Sequence, residues 1–173
     1  MINMANNKGR KGETRLIRLV CDIMDTEEST DFTRHTNTNT ADGGADIVLE
    51  HPREFYDRLL DIASVESRSE PKTSNPDTRV KSRIDNKNYN GKLDEVVVNK
   101  FGGDIRKNPD CEGHLLAGGE GLTRGGKIAL KNLQSAHPKK RIDYIDESGL
   151  KKIESHYQSL PEPERGQSDN DDL

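Results

Sequence analysis

The sequence contains no tryptophan, only 4% aromatic residues, and an apolar fraction of 29% across its 173 residues. Such a chain fits one domain plus a tail, and any core is small, so marginal stability or burial against a partner is expected. Long apolar runs are missing. No stretch approaches the roughly 18 apolar residues of a membrane span, and the polar N-terminus lacks the apolar middle of a signal peptide. The expectation is a cytoplasmic (intracellular) protein with no membrane partner. Cysteine is scarce: Cys21 and Cys111 lie far apart and give no framework of secreted disulfides. Cys111 and His114 have ligand-like spacing, but no second pair follows at zinc-site distance, so no structural zinc is expected. A Gly-x-Ser-x-Gly elbow is absent, as is a cysteine and histidine pairing that would argue for nucleophilic catalysis. Charge of one sign is not in excess either, since 27 basic and 31 acidic residues leave a net charge of -4. The field of the whole molecule therefore does not announce a nucleic-acid binder.

What is present is charge segregated by segment. Lys8, Arg10, Lys11, Arg15 and Arg18 crowd the N-terminus and Arg79 to Lys87 forms a second basic group, while acids gather at 22–28 and 169–172. Hydrophobic periodicity predicts a helix over 9–24, with Leu16, Ile17, Leu19, Val20, Ile23 and Met24 on its apolar side. A short strand is expected near 32–35 and another over 45–50, ended by His51-Pro52. Residues 53–77 read either as a short helix or as a strand, followed by a loop over 67–76. A strand over 78–84 follows, then an Asn-rich turn over 86–91 and a helix over 93–105 that Gly102-Gly103 is expected to break or end. A buried strand over 113–119, a helix over 124–134 capped by Thr123, a strand over 142–146 and a helix from Ser148 to about Tyr157 complete the pattern. Residues 1–8 and the acidic tail 158–173 read as loose or disordered, leaving a domain over 9–157 with a poorly readable insertion at 53–77. Strands alternating with helices toward the C-terminus imply an α/β fold with a central mixed β-sheet flanked by helices.

The chemistry-bearing stretch is Gly43-Gly44-Ala45-Asp46-Ile47-Val48, where a flexible Gly-Gly delivers an acid to the first position of an apolar run. Asp46 reads either as a turn aspartate or as a carboxylate at the open end of a strand. In the later strand, alternation sends Val80, Ser82 and Ile84 to one face and Arg79, Lys81 and Arg83 to the other. Gly121 to Lys127 fits the frame of a phosphate-binding loop. It fails at Ile128, where magnesium needs a hydroxyl, so no nucleotide cofactor is expected.

These residues, with Gly12-Glu13 on the first helix, a Val-Lys-Ser strand, and the later Leu115-Leu116-Ala117-Gly118-Gly119 and Leu122-Thr123-Arg124-Gly125-Gly126, resemble the PD-(D/E)xK nuclease superfamily. The Mrr-like restriction endonucleases and archaeal Holliday-junction resolvases are the nearest types. The resemblance spans about residues 9 to 153 and implies a restriction-endonuclease-like fold and a metal-dependent DNA endonuclease using Mg2+ or Mn2+. It makes Asp46 a metal ligand, Lys81 the motif lysine and Glu13 a supporting acid. The chemistry fits phosphodiester hydrolysis, which needs a hard divalent cation and a positioned water. One departure from the pattern is plain: Arg79 stands where an acid should precede Lys81 by two residues. Asp77, Asp85 or Glu66 are the candidate replacement ligands, and Val65-Glu66-Ser67-Arg68 is an alternative alignment that keeps the acid and trades the lysine for arginine. Glu70-Pro71-Lys72 matches in letters but lies in a proline-broken loop. Lys11, Arg79, Arg83 and Lys87 would neutralise DNA phosphates. A homodimer is implied because cutting a duplex needs two strand-directed sites. The alternative is a catalytically degenerate nucleic-acid-binding or assembly protein on the same fold.

Overall fold

A computed structural model describes residues 4–27, 30–36, 45–70 and 79–159. Its elements run α1 (Met4–Thr26), β1 (Asp31–Thr36), β2 (Ala45–Pro52), α2 (Arg53–Ile62), β3 (Arg79–Lys87), α3 (Glu95–Lys107), β4 (Gly113–Gly118), α4 (Arg124–Ala136), β5 (Arg141–Ile145) and α5 (Glu147–Ser159). The five strands form one sheet in sequence order. β1, β2 and β3 pair antiparallel, whereas β4 and β5 continue parallel to β3 through α3 and α4. This is the mixed, helix-flanked sheet expected from the alternation of strand and helix patterns.

Period-two alternation divides the core into two layers. Ile47 and Leu49 of β2, Ile84 of β3, Leu115 and Ala117 of β4 and Ile145 of β5 face α1, α2 and α5. Leu116 and Ile142 face the other way, against Val98, Phe101 and Ile105 of α3 and Ala129 of α4. Helix α1 buries Leu16, Leu19, Val20 and Ile23, the i, i+3, i+4, i+7 stripe of an amphipathic helix, and leaves Ile17 exposed. The ambiguous segment after Pro52 is a helix: Phe55, Tyr56, Leu59 and Leu60 recur at helical spacing and all are buried.

Helix ends follow capping chemistry. The Thr123 hydroxyl accepts from the Gly126 amide, as expected, and the Asp94 carboxylate accepts from Val97 at the start of α3. Asp146, not Ser148, opens α5, accepting from the Gly149 amide at 2.7 Å. Two expectations are corrected. Gly102-Gly103 does not interrupt α3, which continues to Lys107. A Cβ at Gly102 would lie 2.5 Å from a Leu133 methyl, so the missing side chain lets α4 pack close. Nor does a turn begin at Asn86, because β3 runs through Asn86 and Lys87, paired with Ala117 and Gly118 of β4. Residues 4–8 and 158–159, read as loose in the sequence, belong to α1 and α5. The Gly43-Gly44 pair, Asp77 and residues 160–173 lie outside the described residues.

Candidate active site

Register places the chemistry. Asp46, near the start of β2, is the cross-strand partner of Asp85 near the end of β3, and Glu50 is the partner of Lys81. Directly opposed residues in an antiparallel pair hold their Cβ atoms roughly 5 Å apart, so the Asp46 and Asp85 carboxylates share a site. Lys87 lies two residues beyond Asp85 on the same face, and its Nζ is 3.2 Å from Asp85 Oδ1. Asp85-Asn86-Lys87 is thus an acid-x-lysine on one strand, facing an aspartate on its neighbour. The group sits at the carboxyl ends of the parallel strands β3 and β4, where open α/β sheets bind ligands.

The lysine assignment is therefore corrected. Lys81 shares the face of Asp46 but stands six residues before Lys87, about 20 Å away along an extended strand. Its Nζ is 3.7 Å from Asp110, outside the site. Lys87, expected only to bind phosphate, lies next to the carboxylates, and an acid, Asp85, stands two residues before it. Arg79 is at the far end of β3, ion-paired with Asp31 at 3.0 Å and Glu50 at 3.3 Å. Glu66 is exposed in the loop after α2, and that loop is drawn to β5, where the Ser69 amide donates to Asp143 at 2.5 Å. Asp143 faces the α2 layer, so Glu66 is not a ligand partner for Asp46. Glu13 is half-buried and Lys11 exposed on α1, in the layer covering the opposite face of the sheet.

Arg83 is the second correction. Its side chain is fully buried and makes no outward surface for phosphate. Nη1 donates to Asp46 Oδ2 at 2.9 Å and lies 3.4 Å from Asp85 Oδ2 and 4.0 Å from Asp104 Oδ2. Nη2 donates to the Phe101 carbonyl at 3.4 Å, Nε donates to His114 Nδ1 at 3.4 Å, and the guanidinium lies 4.9 Å from the Phe101 ring centre. A charge buried this completely is tolerable only with such a set of partners. Asp104, which no sequence pattern singled out, and His114, noted in the sequence only for its spacing from Cys111, join this cluster through the arginine.

Electrostatics follow from burial and crowding. Burial pushes the Asp46 carboxyl above its ordinary range, and Asp85 and Asp104 push the same way, while Arg83 pulls against them. His114 is held neutral by burial, with the neighbouring Arg83 adding to the effect, and its pKa falls to about 3.

The backbone around Lys87 is equally constrained. Gly118 of β4 has φ +107°, and a Cβ there would stand 2.1 Å from the Lys87 carbonyl oxygen. The β3–α3 and β4–α4 loops are laced together: the Glu120 amide donates to the Gly91 carbonyl at 2.8 Å and the Leu93 amide to the Gly121 carbonyl at 2.9 Å. The Tyr144 hydroxyl donates to the Gly118 carbonyl at 2.7 Å and accepts from the Gly121 amide at 3.2 Å. Tyr89, 47% exposed, stands on this platform two residues beyond Lys87.

A metal is tested by the donor set. Among the described residues no group of three or more His, Cys, Asp or Glu side chains is arranged to hold a metal ion. Two opposed carboxylates do suit Mg2+, which takes one or two protein carboxylates, keeps several waters and completes its shell with substrate phosphate. Asp46 and Asp85 would hold it. Among the described residues no helix is long and apolar enough to cross a membrane. No family model matches the chain, and no curated protein matches it.

Proposed function

We propose that the protein is a divalent-metal-dependent DNA endonuclease whose site is Asp46, Asp85 and Lys87. One observation carries this reading: an aspartate opposed across two strands by an acid-x-lysine at the carboxyl end of the parallel half of the sheet. A bound Mg2+ or Mn2+ would lower the pKa of an attacking water and offset charge on the phosphate. Asp46 and Asp85 supply the hard oxygens for that ion. Lys87 supplies a cation that orients the water or the scissile phosphate, and the Gly118 backbone fixes where its strand ends. Exposed Lys92, Arg124 and Lys127, next to the interlaced loops, supply phosphate contacts on the same end of the sheet. Cutting both strands of a duplex calls for two such sites, which a homodimer provides.

The test is cleavage of supercoiled plasmid and of branched and linear oligonucleotides with Mg2+ or Mn2+. Wild type is expected to nick or cut, and Asp85→Asn and Lys87→Met to lose the activity while staying folded. Cleavage that survives Asp85→Asn rejects the assignment. A second reading has its own support: Arg83 already ion-pairs with both carboxylates, as in a site that binds DNA without cutting it. Salt-sensitive DNA binding with no cleavage under any divalent cation, in wild type and Asp46→Asn alike, would select it.

A further inference from the structure

The buried cation beneath the carboxylates has no counterpart in the sequence expectations, and its position invites a charge count. Asp46, Asp85 and Asp104 bring three negative charges around Arg83 Nη1, while Arg83 and Lys87 bring two positive ones. The cage as built carries about one net negative charge. Without Arg83 it would carry two, and Asp46 and Asp85 would face each other across the strands with only Lys87 between them and repulsion. Nothing in the sheet itself calls for a cation at this position, since Arg83 lies between Val48 on β2 and His114 on β4. All three guanidinium nitrogens are nonetheless committed, to carboxylates, to the Phe101 carbonyl and to His114. The group is oriented as firmly as a metal would be, and it touches no solvent from which a substrate phosphate could approach.

We infer that Arg83 is a positioning residue acting as a built-in counter-ion: it holds Asp46 and Asp85 in place before metal arrives and limits the site to a single, weakly held divalent cation. This rests on the nuclease reading of Asp46, Asp85 and Lys87 and adds its metal stoichiometry and the residue that sets it. The physical reason is that a fixed positive charge within a few ångströms of the carboxylate oxygens repels an incoming dication and competes for the same lone pairs.

The experiment uses the full chain and Mn2+ alone, without nucleic acid, followed by paramagnetic resonance of free Mn2+ and by calorimetry. Wild type is expected to bind one Mn2+ per chain. Arg83→Gln is expected to bind Mn2+ about tenfold more tightly or to accept a second ion, because a repelling charge is gone. Arg83→Lys keeps the charge and is expected to remain within about threefold of wild type for the same reason. An Arg83→Gln protein that is folded by circular dichroism yet binds Mn2+ no more tightly, with the same stoichiometry, overturns the inference. If wild type binds Mn2+ and cuts DNA while Arg83→Gln leaves affinity unchanged, only the counter-ion role falls. If wild type neither binds Mn2+ nor cuts, the nuclease reading falls with it. Should Arg83→Gln unfold in the absence of metal, recovery of its fold by Mn2+ supports the role, and failure to recover counts against it. A readout in wild type needs no variant: the Arg83 Nε–H resonance is expected to move during a Mg2+ titration and to saturate at one ion per chain, and a resonance that stays still overturns the proposal.

Discussion

The two ends of strand β3 carry similar letters and opposite physics. At its start, Arg79 and Lys81 stand opposite Pro52 and Glu50, each roughly a third exposed, in a shallow groove of about 700 Å3 that mixes Asp110, Glu112 and Lys140 with them. At its end, Asp85 and Lys87 are buried beside Leu116 and Gly118 of β4 and organised around a fully buried arginine. Solvent screens the first set, whose pairs are interchangeable with water. The second set is held in low dielectric, where orientation is fixed and charge is strongly felt. Burial, and not the identity of the acid and the lysine, separates the two ends.

The largest expected effect tests that separation in activity. On the proposed nuclease reading, Lys87→Met should lower metal-dependent DNA cleavage by about 10² to 10⁴-fold, the range for loss of a positioned proton-transfer or charge-stabilising group. Lys81→Met should leave the rate within about threefold, because a half-buried lysine about 20 Å up the strand contributes only generic attraction for phosphate. Single-turnover rates at saturating Mn2+ measure both. Equal losses for the two lysines would erase the distinction between the ends.

Stability sharpens the same contrast at the backbone. Gly118→Ala places a Cβ 2.1 Å from the Lys87 carbonyl at φ +107°, a clash with backbone that no rotamer relieves. A loss of about 3 kcal/mol or more is expected, which at 2–4 °C per kcal/mol for a chain of this size lowers the thermal midpoint by roughly 10 °C. Gly91→Ala has φ +96° but nothing within 4 Å, so only the conformational strain remains, roughly 1 kcal/mol. Thermal denaturation of the two variants separates close approach from strain.

Much of this architecture was legible. Leu16, Leu19, Val20 and Ile23 announced α1 by spacing, Thr123 announced the start of α4, and the alternation of β3 sorted its residues onto the correct faces. Asp46 was readable as the acid at an open strand end. The lysine is not, for a physical reason: Asn86 has a turn former's side chain, and the run Asn86 to Gly91 reads as a loop, so the expected strand stops at Ile84, three residues short of Lys87. That truncation hid Asp85-Asn86-Lys87 as an acid-x-lysine, though every letter was present. Tertiary pairing with Ala117 and Gly118 outweighs the local preference of Asn86. Arg83 is not legible as a buried residue for a different cause, since alternation gives the face of a side chain and says nothing about whether a helix covers that face. Phe101 and Asp104 of α3 cover it.

Acid pH probes both ends at once. His51, at the early end, donates from Nδ1 to the Pro52 carbonyl at 2.7 Å and accepts at Nε2 from the Ser82 hydroxyl at 2.8 Å, and burial lowers its pKa to about 4. His114, beneath Arg83, falls to about 3. The unfolded chain binds protons at the ordinary histidine value while the folded one does not, so stability rises with pH in that range. It is complete above about 6.5 and is lost as pH falls toward the folded values, by about 2 kcal/mol per histidine between pH 7 and pH 5. Asp46 acts in the opposite sense: its raised pKa means that stability is gained as its carboxylate protonates on acidification. Urea denaturation at pH 7 and pH 5 should show a net fall that His51→Gln reduces and Asp46→Asn enlarges. A pH-independent stability would mean that the two histidines are not held neutral.

The smallest effect belongs to the solvated pairs of β3. Arg79 reaches Asp31 at 3.0 Å and Glu50 at 3.3 Å, but its side chain is 37% exposed and Asp31 is 70% exposed. Exposed pairs of this kind gain little over hydration and lose side-chain entropy, so Arg79→Ala should change stability by no more than about 1 kcal/mol, and less as salt is raised. The carboxylates it leaves behind remain solvated. Removing Arg83 instead strands Asp46 and Asp85 without their shared donor, a penalty of about 3–5 kcal/mol for breaking a buried pair, and one that salt screens weakly. Chemical denaturation of both variants at low and high salt therefore reads the same arginine-to-acid contact in two dielectric settings. An Arg79→Ala loss that rivals Arg83→Gln would show that exposure does not set the strength of these contacts.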